Sequence, residues 1–469
     1  TIDQQSATPV HTQVYEAWRL GILSGRFARN DRVPSTRELA VTLGIARSTV
    51  TQAYDQLIAE GYLQSRQGSG TFVCSELPEK MLHAQTIQRG ARIAAKVQLS
   101  NYGDRLLDDF QYPNREPGVI SFAHWWPDQE SFPTAIWRRL MLRHLRKANA
   151  EVFNYAPHAQ GHEALRLEIA KYVSRFRAVV CTADQIIVVN GSQQGLDLCA
   201  RLLFNAGDEV AVENPGYLGT RRVFTACGAK LKAVAIDAEG IVCREIGKKA
   251  RVVYVTPSHQ FPTGISMSLR RRLELIAWAR EHNSVILEDD YDSEYRYGGA
   301  PLPALQGLAA DAPVIYCGTF SKVMFPGLRV GYLIVPPALA PAFRRAKWLA
   351  DRNTPMLEQV TLADFLSEGH LERHIRRMRR IYASRREALM DSLQQYFGAK
   401  ATVLGDAAGM HAFARIDDKA IAERALKNRV LLRSAQDYYL GAAPPNEFLF
   451  GFATLSERAI REGIKRLAS

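Results

Sequence analysis

Residues 314–334 constrain the chain most. A short apolar, partly β-branched run, 314–317, leads straight into Gly318-Thr-Phe-Ser-Lys322, then past Pro326-Gly327 to Arg329 and Gly331-Tyr332. Such a run reads as a buried strand that delivers its end into a site. The hydroxyls of Thr319 and Ser321 can bond a phosphate, and Arg329, beyond a Pro-Gly turn, can close on the same anion. A lysine amine becomes a nucleophile or Schiff-base former only where its surroundings lower its pKa. Most lysines that follow a strand simply face solvent, so this segment gains meaning only from its companions.

Two other segments supply them. Ile186–Val189 is β-branched throughout and is followed at once by Asn190-Gly191-Ser192-Gln193 and a helical pattern of Leu196, Cys199, Leu202 and Leu203. A helix that starts there offers backbone N–H groups and the positive end of its dipole to a phosphate. The run 285–287 leads into Glu288-Asp289-Asp290-Tyr291. A buried, unpaired carboxylate is costly, so Asp289 is expected to face a cation, and the ring nitrogen of pyridoxal 5′-phosphate (PLP) is one.

Taken together, Gly191-Ser192, Asp289-x-Tyr291, Thr319-x-Ser321-Lys322 and Arg329 resemble the cofactor site of the fold-type I, PLP-dependent aminotransferases. Asn154-Tyr155 with Gly161 is similar to the family segment that sends a tyrosine into the neighbouring subunit's phosphate site. Glu213-Asn-Pro-Gly-Tyr217 resembles the element whose ring stacks on the cofactor, and Thr256-Pro-Ser-His259-Gln-Phe-Pro-Thr-Gly264 the loop under its phenolic oxygen. The resemblance implies that Lys322 holds PLP as an internal aldimine, that Asp289 keeps the ring nitrogen protonated, and that Tyr291 bonds the phenolic oxygen. It further implies that Ser192, Gln193, Thr319, Ser321 and Arg329 hold the phosphate, that Tyr155 arrives from a second subunit, and that Tyr217 stacks on the ring. Relatives place an asparagine just before Pro-Thr-Gly; here Phe261 stands in that place, leaving His259 or Gln260 to substitute.

The first seventy-five residues form a separate unit. Val14, Ala17, Trp18, Gly21 and Ile22 share one helical face. Ser35-Thr-Arg-Glu38 has capping-box spacing and starts a short helix that runs to Gly44. A third helix packs through Val50, Ala53, Tyr54, Leu57 and Ile58, and 62–65 with 71–73 form a hairpin around Gln67-Gly68. Two helices on a tight turn, then a glycine-rich hairpin, outline a winged helix-turn-helix. The wording closely resembles the GntR family of bacterial transcription factors, which implies DNA contacts at Arg37, Arg47, Ser48, Thr49 and Gln52, with Gln67 and Gly68 at the wing. Ala46 stands where such helices often carry a hydroxyl cap. Seven arginines against six acids leave this unit nearly neutral, so charge alone does not mark it as a reader.

At 469 residues the chain is too long for one domain. The expected organisation is a reader over 1–75, a linker over 76–117 with a helical piece at 81–97, a large α/β domain over 118–354 and a small α+β subdomain over 355–469. Strands expected at 186–189, 210–213, 252–256, 285–288, 314–317 and 330–335 alternate with helical patterns, as in a mainly parallel sheet with ligand at the strand ends. No apolar run approaches a membrane span, and six scattered cysteines without Cys-x-x-Cys spacing read as reduced residues of a cytoplasmic protein. The net charge of +12 is concentrated in the body, where seven arginines fall within 370–386. That run reads first as a solvated helix face and second as a surface that guides DNA.

A GntR-like reader joined to an aminotransferase-like body resembles the MocR group of regulators over essentially the whole chain. The resemblance implies a head-to-tail homodimer that binds promoter DNA and senses a primary-amine effector by exchange at Lys322. The alternative is a working aminotransferase with an accessory DNA-binding domain. Amino-acid aminotransferases fix the substrate carboxylate with an arginine near the C-terminus; the matching residue here is Leu449. Either Arg433, Arg221 or Arg222 takes that task, or the effector is not an ordinary α-amino acid. Trp125 and Trp126 are expected at the mouth of the body, as a seat for a cationic head or compact ring, or else in the core. Taurine, ectoine derivatives, polyamines and ω-amino acids all remain open.

Overall fold

The computed structural model describes residues 2–3, 6, 8–77, 98–107, 118–123, 126–146, 150–155, 159–298, 302–309, 311–405 and 407–469; Trp125 and the helical piece expected at 81–97 lie outside them. Two compact units emerge, Thr1–Gln98 and Leu99–Ser469.

In the first, α1 (Val10–Leu23), α2 (Thr36–Leu43) and α3 (Arg47–Ala59) precede a hairpin of β1 (Leu63–Arg66) and β2 (Gly70–Val73). The capping box forms as its spacing predicts: Ser35 Oγ accepts from the Glu38 amide at 3.2 Å, and the Glu38 carboxylate accepts from the Ser35 amide at 2.8 Å. Gly44 ends α2 in the left-handed region, whereas α3 starts at Ala46 with no side-chain cap. Val14, Trp18, Val50, Leu57 and Val73 meet in one core. One expectation fails. Ala17 is exposed, and Tyr15 is buried in the packed face, where its hydroxyl donates to Glu60. The long tyrosine wraps around α1 to reach the end of α3, which an alanine methyl cannot do.

The second unit is built on an eight-stranded sheet. β3 (Ile120–Ser121) lies outside it. Then β4 (Ile186–Val189), β5 (Glu209–Asn214), β6 (Lys230–Asp237), β7 (Gly240–Ile241), β8 (Val252–Val255), β9 (Val285–Asp290), β10 (Val314–Thr319) and β11 (Gly331–Ile334) lie in the order β4-β11-β10-β9-β8-β5-β6-β7. β6, β5, β8, β9 and β10 run parallel, whereas β11 is antiparallel to both neighbours. Alternation divides each strand between two cores. Ile187, Val189 and Val210 cluster with Leu196 and Cys199 of the helix Ser192–Leu203, and Ala211, Val253 and Ile286 with Leu275 and Ile276 of the helix Leu269–Glu281. Burying each large aliphatic among these contributes about 1.5–3 kcal/mol. β6 and β7 escape a sequence reading because the apolar run of β6, Ala233–Ile236, is short and flanked by exposed Lys230, Lys232 and Asp237.

β12 (Ala401–Leu404), β13 (His411–Ile416), β14 (Val430–Leu431), β15 (Arg433–Ser434) and β16 (Glu447–Gly451) complete the chain. A small sheet in the order β12-β13-β16-β15 accompanies the helices His370–Phe397 and Glu457–Ala468, while β14 pairs with β3. Two helices follow Pro355, an apolar one, Met356–Ser367, and the long arginine-rich His370–Phe397, parted by Gly369 at φ +71°. No helix among the described residues is long and apolar enough to cross a membrane.

Candidate functional site

The carboxyl ends of β9 and β10 and the start of the helix Ser192–Leu203 enclose a pocket of about 300 Å³. Parallel pairing sets Cys317 beside Asp289 and Gly318 beside Asp290, so the segment after β10 brings Lys322 to the end of β9. Burial lowers the Lys322 amine to about 8, against the opposing pull of the Asp292 and Asp289 carboxylates. An amine poised there keeps a usable neutral fraction near neutral pH.

Along β9, Glu288 accepts from the amides of Leu305 and Gln306, while Asp289 lines the pocket. Its Oδ2 accepts from the Tyr254 hydroxyl at 2.7 Å; its Oδ1, also buried, has no hydrogen-bond partner among the described residues. Burial, together with Asp290 and Asp292, pushes the carboxyl up to about 7. An acceptor so placed suits a ligand N–H.

At the other end, Ser192, Thr319, Ser321 and Arg329 line the pocket at the N-terminus of the helix, with the exposed Gln193. Arg329 itself is left-handed (φ +52°), and its Nη2 donates to the Asn190 carbonyl at 2.8 Å. Gly191 has φ +79°, and a Cβ there would lie 2.8 Å from Arg329 Nη2. Gly191→Ala is therefore expected to displace Arg329 and lower retention of a phosphate-bearing ligand by ~10-fold or more. Dialysis against PLP measures this, and thermal unfolding of the empty protein checks that the variant folds.

Tyr217 caps the helix Leu218–Ala226 and meets Phe261 edge-on at 5.6 Å. The Tyr291 hydroxyl lies 2.9 Å from His259 Nδ1, which also faces Asp292 at 3.0 Å. Burial and the Asp292 charge hold the Tyr291 phenol well above its ordinary value, so it stays protonated. His259 stands behind the pocket wall and touches it through Tyr291. Gln260 turns away: its amide nitrogen donates to the carbonyls of Pro215 (2.9 Å) and Phe261 (2.6 Å). Phe261 itself joins an aromatic group with Tyr438 and His411.

Sequence reasoning missed Tyr254, Asp292 and His411. A tyrosine inside a fully buried four-residue strand has to find a partner for its hydroxyl, which was a usable signal for Tyr254. Nothing in the local pattern marks the other two.

Several expected residues are not brought here. Tyr155, expected to serve a second subunit rather than this one, stands 78% exposed in a surface cavity beside Asp351 and Met356. Trp126 lines a different cavity with Ser121, Leu431 and Leu455, which corrects its expected place at the mouth; pairing of β3 with β14 carries that segment along the small subdomain. Arg433 is the cross-strand partner of Leu449 and is absent from the pocket lining. Arg221 donates to the carbonyls of Asp437 (3.3 Å) and Tyr439 (3.2 Å). Leu449 is wholly buried in a cluster with Phe261, Phe413 and Tyr438.

In the first unit, α3 buries Val50, Ala53, Tyr54 and Leu57 and exposes Arg47, Ser48 and Gln52, with Thr49 half-buried. Arg47 Nε donates to Thr36 Oγ1 at 3.3 Å, tying α3 to α2. Arg37 on α2 and Gln67 and Gly68 at the hairpin tip are also exposed.

A family model described as "Aminotransferase class I and II" matches residues 128–467, and one described as "Bacterial regulatory proteins, gntR family" matches 11–73. The chain is 38% identical to the probable rhizopine catabolism regulatory protein MocR of Rhizobium meliloti, over 100% of this chain and 95% of that protein. It is 32% identical to the HTH-type pyridoxine biosynthesis transcriptional regulator PdxR of Corynebacterium glutamicum, over 98% and 95%. The crystal structure of a multiple substrate aminotransferase from Thermococcus profundus superposes with a TM-score of 0.70 at 29% identity, covering 75% of this chain and 91% of that one.

Proposed function

The chain belongs to the MocR-type transcriptional regulators, a GntR-family domain fused to a class I and II aminotransferase domain, and from that premise we propose that it holds PLP at Lys322 and reports a primary-amine effector to promoter DNA. The observation that carries this is one pocket in which a depressed lysine and a buried carboxylate oxygen without a partner stand across from an arginine-closed helix N-terminus. That donor set fits the group at each end: an acceptor for a ring N–H and a cup for a phosphate.

Bound there, PLP supplies an aldehyde that condenses with primary amines. Asp289 would hold the ring nitrogen, with Oδ1, which has no partner among the described residues, accepting its proton. Tyr291, kept protonated, donates toward the phenolic oxygen, with His259 and Asp292 fixing its orientation. Ser192, Gln193, Thr319, Ser321 and Arg329 hold the phosphate, and Tyr217 covers one ring face. Lys322, with its pKa lowered to about 8, would offer a usable neutral fraction of amine to the aldehyde, and whenever unbound it would face Asp292 and Asp289 as a cation. That change of charge biases the body between two shapes and so alters DNA affinity. The exposure of Tyr155 supports a head-to-tail homodimer in which it serves the partner's phosphate cup. The reader side chains are Arg37, Arg47, Ser48, Thr49 and Gln52, with Gln67 and Gly68 on the wing, and the protein works in the cytoplasm.

The test is a panel of amines (taurine, putrescine, an ectoine derivative and ω-amino acids) added to cofactor-loaded protein on DNA selected from a random library. One class is expected to shift both the visible spectrum and the DNA affinity. In the same assay Arg47→Ala with Gln52→Ala should lose ~10²-fold or more in DNA affinity and keep the spectral response. Steady turnover of an amino donor and a keto acid at unchanged DNA affinity would instead make the protein an enzyme.

A further inference from the structure

A second cavity, about 400 Å³, lies back to back with the cofactor pocket. Neighbouring residues divide between the two: Asp292 lines the first and Ser293 the second, while Ser258 lines the second and His259 sits behind the first, bonded to Tyr291. The far wall is the helix His370–Phe397, through Ile375, Arg376 and Arg379.

Five arginines line this space against two glutamates. Two of the five are neutralised: Arg177 pairs with the buried Asp290 at 2.6 Å, and Arg175 with Glu372 at 2.6 Å. The other three are not. Arg379 donates only to the backbone carbonyl of Glu294, at 2.8 and 3.1 Å. Arg296 reaches Ser266 Oγ at 3.4 Å, and its Nε is buried without a partner. Arg376 is exposed and makes no hydrogen bond or ion pair among the described residues. The remaining carboxyl, Glu294, accepts from the Tyr172 hydroxyl at 2.6 Å, and burial pushes it up to about 7, which mutes its charge. Ser293 Oγ is a further buried polar atom without a partner among the described residues. A roomy cavity with surplus positive charge and idle donors is built to receive an anion.

We infer that this cavity is a binding site for a compact oxyanion carrying two or more negative charges, held between Arg296 and Ser293 on one side and Arg376 and Arg379 on the other. An occupant joins the helix His370–Phe397 to the segment that carries Asp292, so it stiffens the back wall of the cofactor pocket and couples to whatever binds there.

The experiment titrates full-length, cofactor-loaded protein, reduced with borohydride to fix the cofactor on Lys322 and keep added anions out of the cup beneath Arg329. Calorimetry at constant ionic strength follows sodium pyrophosphate, inorganic phosphate and succinate, with acetate as the singly charged control. One saturable site per chain is expected for at least one of the first three and none for acetate. Arg376→Gln, a solvent-facing change, should weaken that binding ~3-fold or more, and Arg296→Gln with Arg376→Gln ~10-fold or more. Arg461→Gln, on the exposed face of the C-terminal helix, should leave it unchanged. Absence of saturable binding, or equal affinity in the double variant, overturns the inference. Preference for pyrophosphate over succinate identifies a phosphate-bearing ligand, and the reverse a dicarboxylate; either supports the site. Failure of borohydride to fix any cofactor counts against the role given to Lys322, while the Arg296 and Arg376 comparison still decides this one.

Discussion

Lys322→Ala is expected to abolish the visible absorption of lysine-bound cofactor and, with it, every response of DNA affinity to added amines. Nothing else in the pocket can replace it: the other basic residues that line it are Arg329, whose guanidinium stays protonated, and His411, whose imidazole is no primary amine. Basal DNA affinity should survive, because α3 and the hairpin belong to a separate compact unit. Lys322→Arg keeps the charge without the nucleophile and should fail in the same way. The wild-type reaction carries its own pH signature. The folded pKa is lowered to about 8, so uptake of PLP by empty protein should accelerate as pH rises through that value and level off above it. Stopped-flow absorbance measures this. Persistence of the visible band in Lys322→Ala would sink the assignment.

Asp289→Asn should produce two large effects of opposite sign. Burial raises the folded carboxyl from 3.8 to about 7, so the folded protein holds that proton more tightly than the unfolded chain does. Stability of the empty protein therefore falls as pH rises between those two values, by up to about 4 kcal/mol once the group is fully ionised. Asparagine removes this penalty while still accepting from Tyr254. Empty Asp289→Asn protein should melt higher than wild type at pH 8 and no higher at pH 4. With PLP present the order reverses, because the variant loses the charge opposite the ring nitrogen and with it ~10²-fold or more in cofactor affinity. Thermal unfolding at both pH values, with and without PLP, reads both effects. A variant that binds PLP as well as wild type would refute the placement of Asp289 against the ring.

The parts of this site that the sequence discloses are those at strand ends. A parallel sheet converges its carboxyl termini, so the residues that close buried runs, Asp289 and Thr319, meet without further information. The Gly191-Ser192 turn is legible for a similar reason, since it joins a four-residue apolar strand to a helix. Residues that reach the pocket sideways leave no such trace. His411 arrives at the start of β13 in the small sheet, 149 positions from Pro262, whose carbonyl it meets, and Asp292 sits on an irregular turn. β6 is invisible because half of its surface faces solvent, and Ala17 misleads because small size is compatible with either face of α1. Trp126 fails for a topological reason: one two-residue pairing, β3 on β14, decides which way that segment runs.

The leucine at position 449 has a consequence for selectivity. Free amino acids are primary amines, each capable of attacking a B6 aldehyde. An arginine at that spot would offer every one of them the same two-pronged grip. Hydrocarbon there, buried among Phe261, Phe413 and Tyr438 behind the pocket lining, supplies no such grip. On the proposed reading, the missing carboxylate grip that discourages turnover of common amino acids also keeps the response quiet against them.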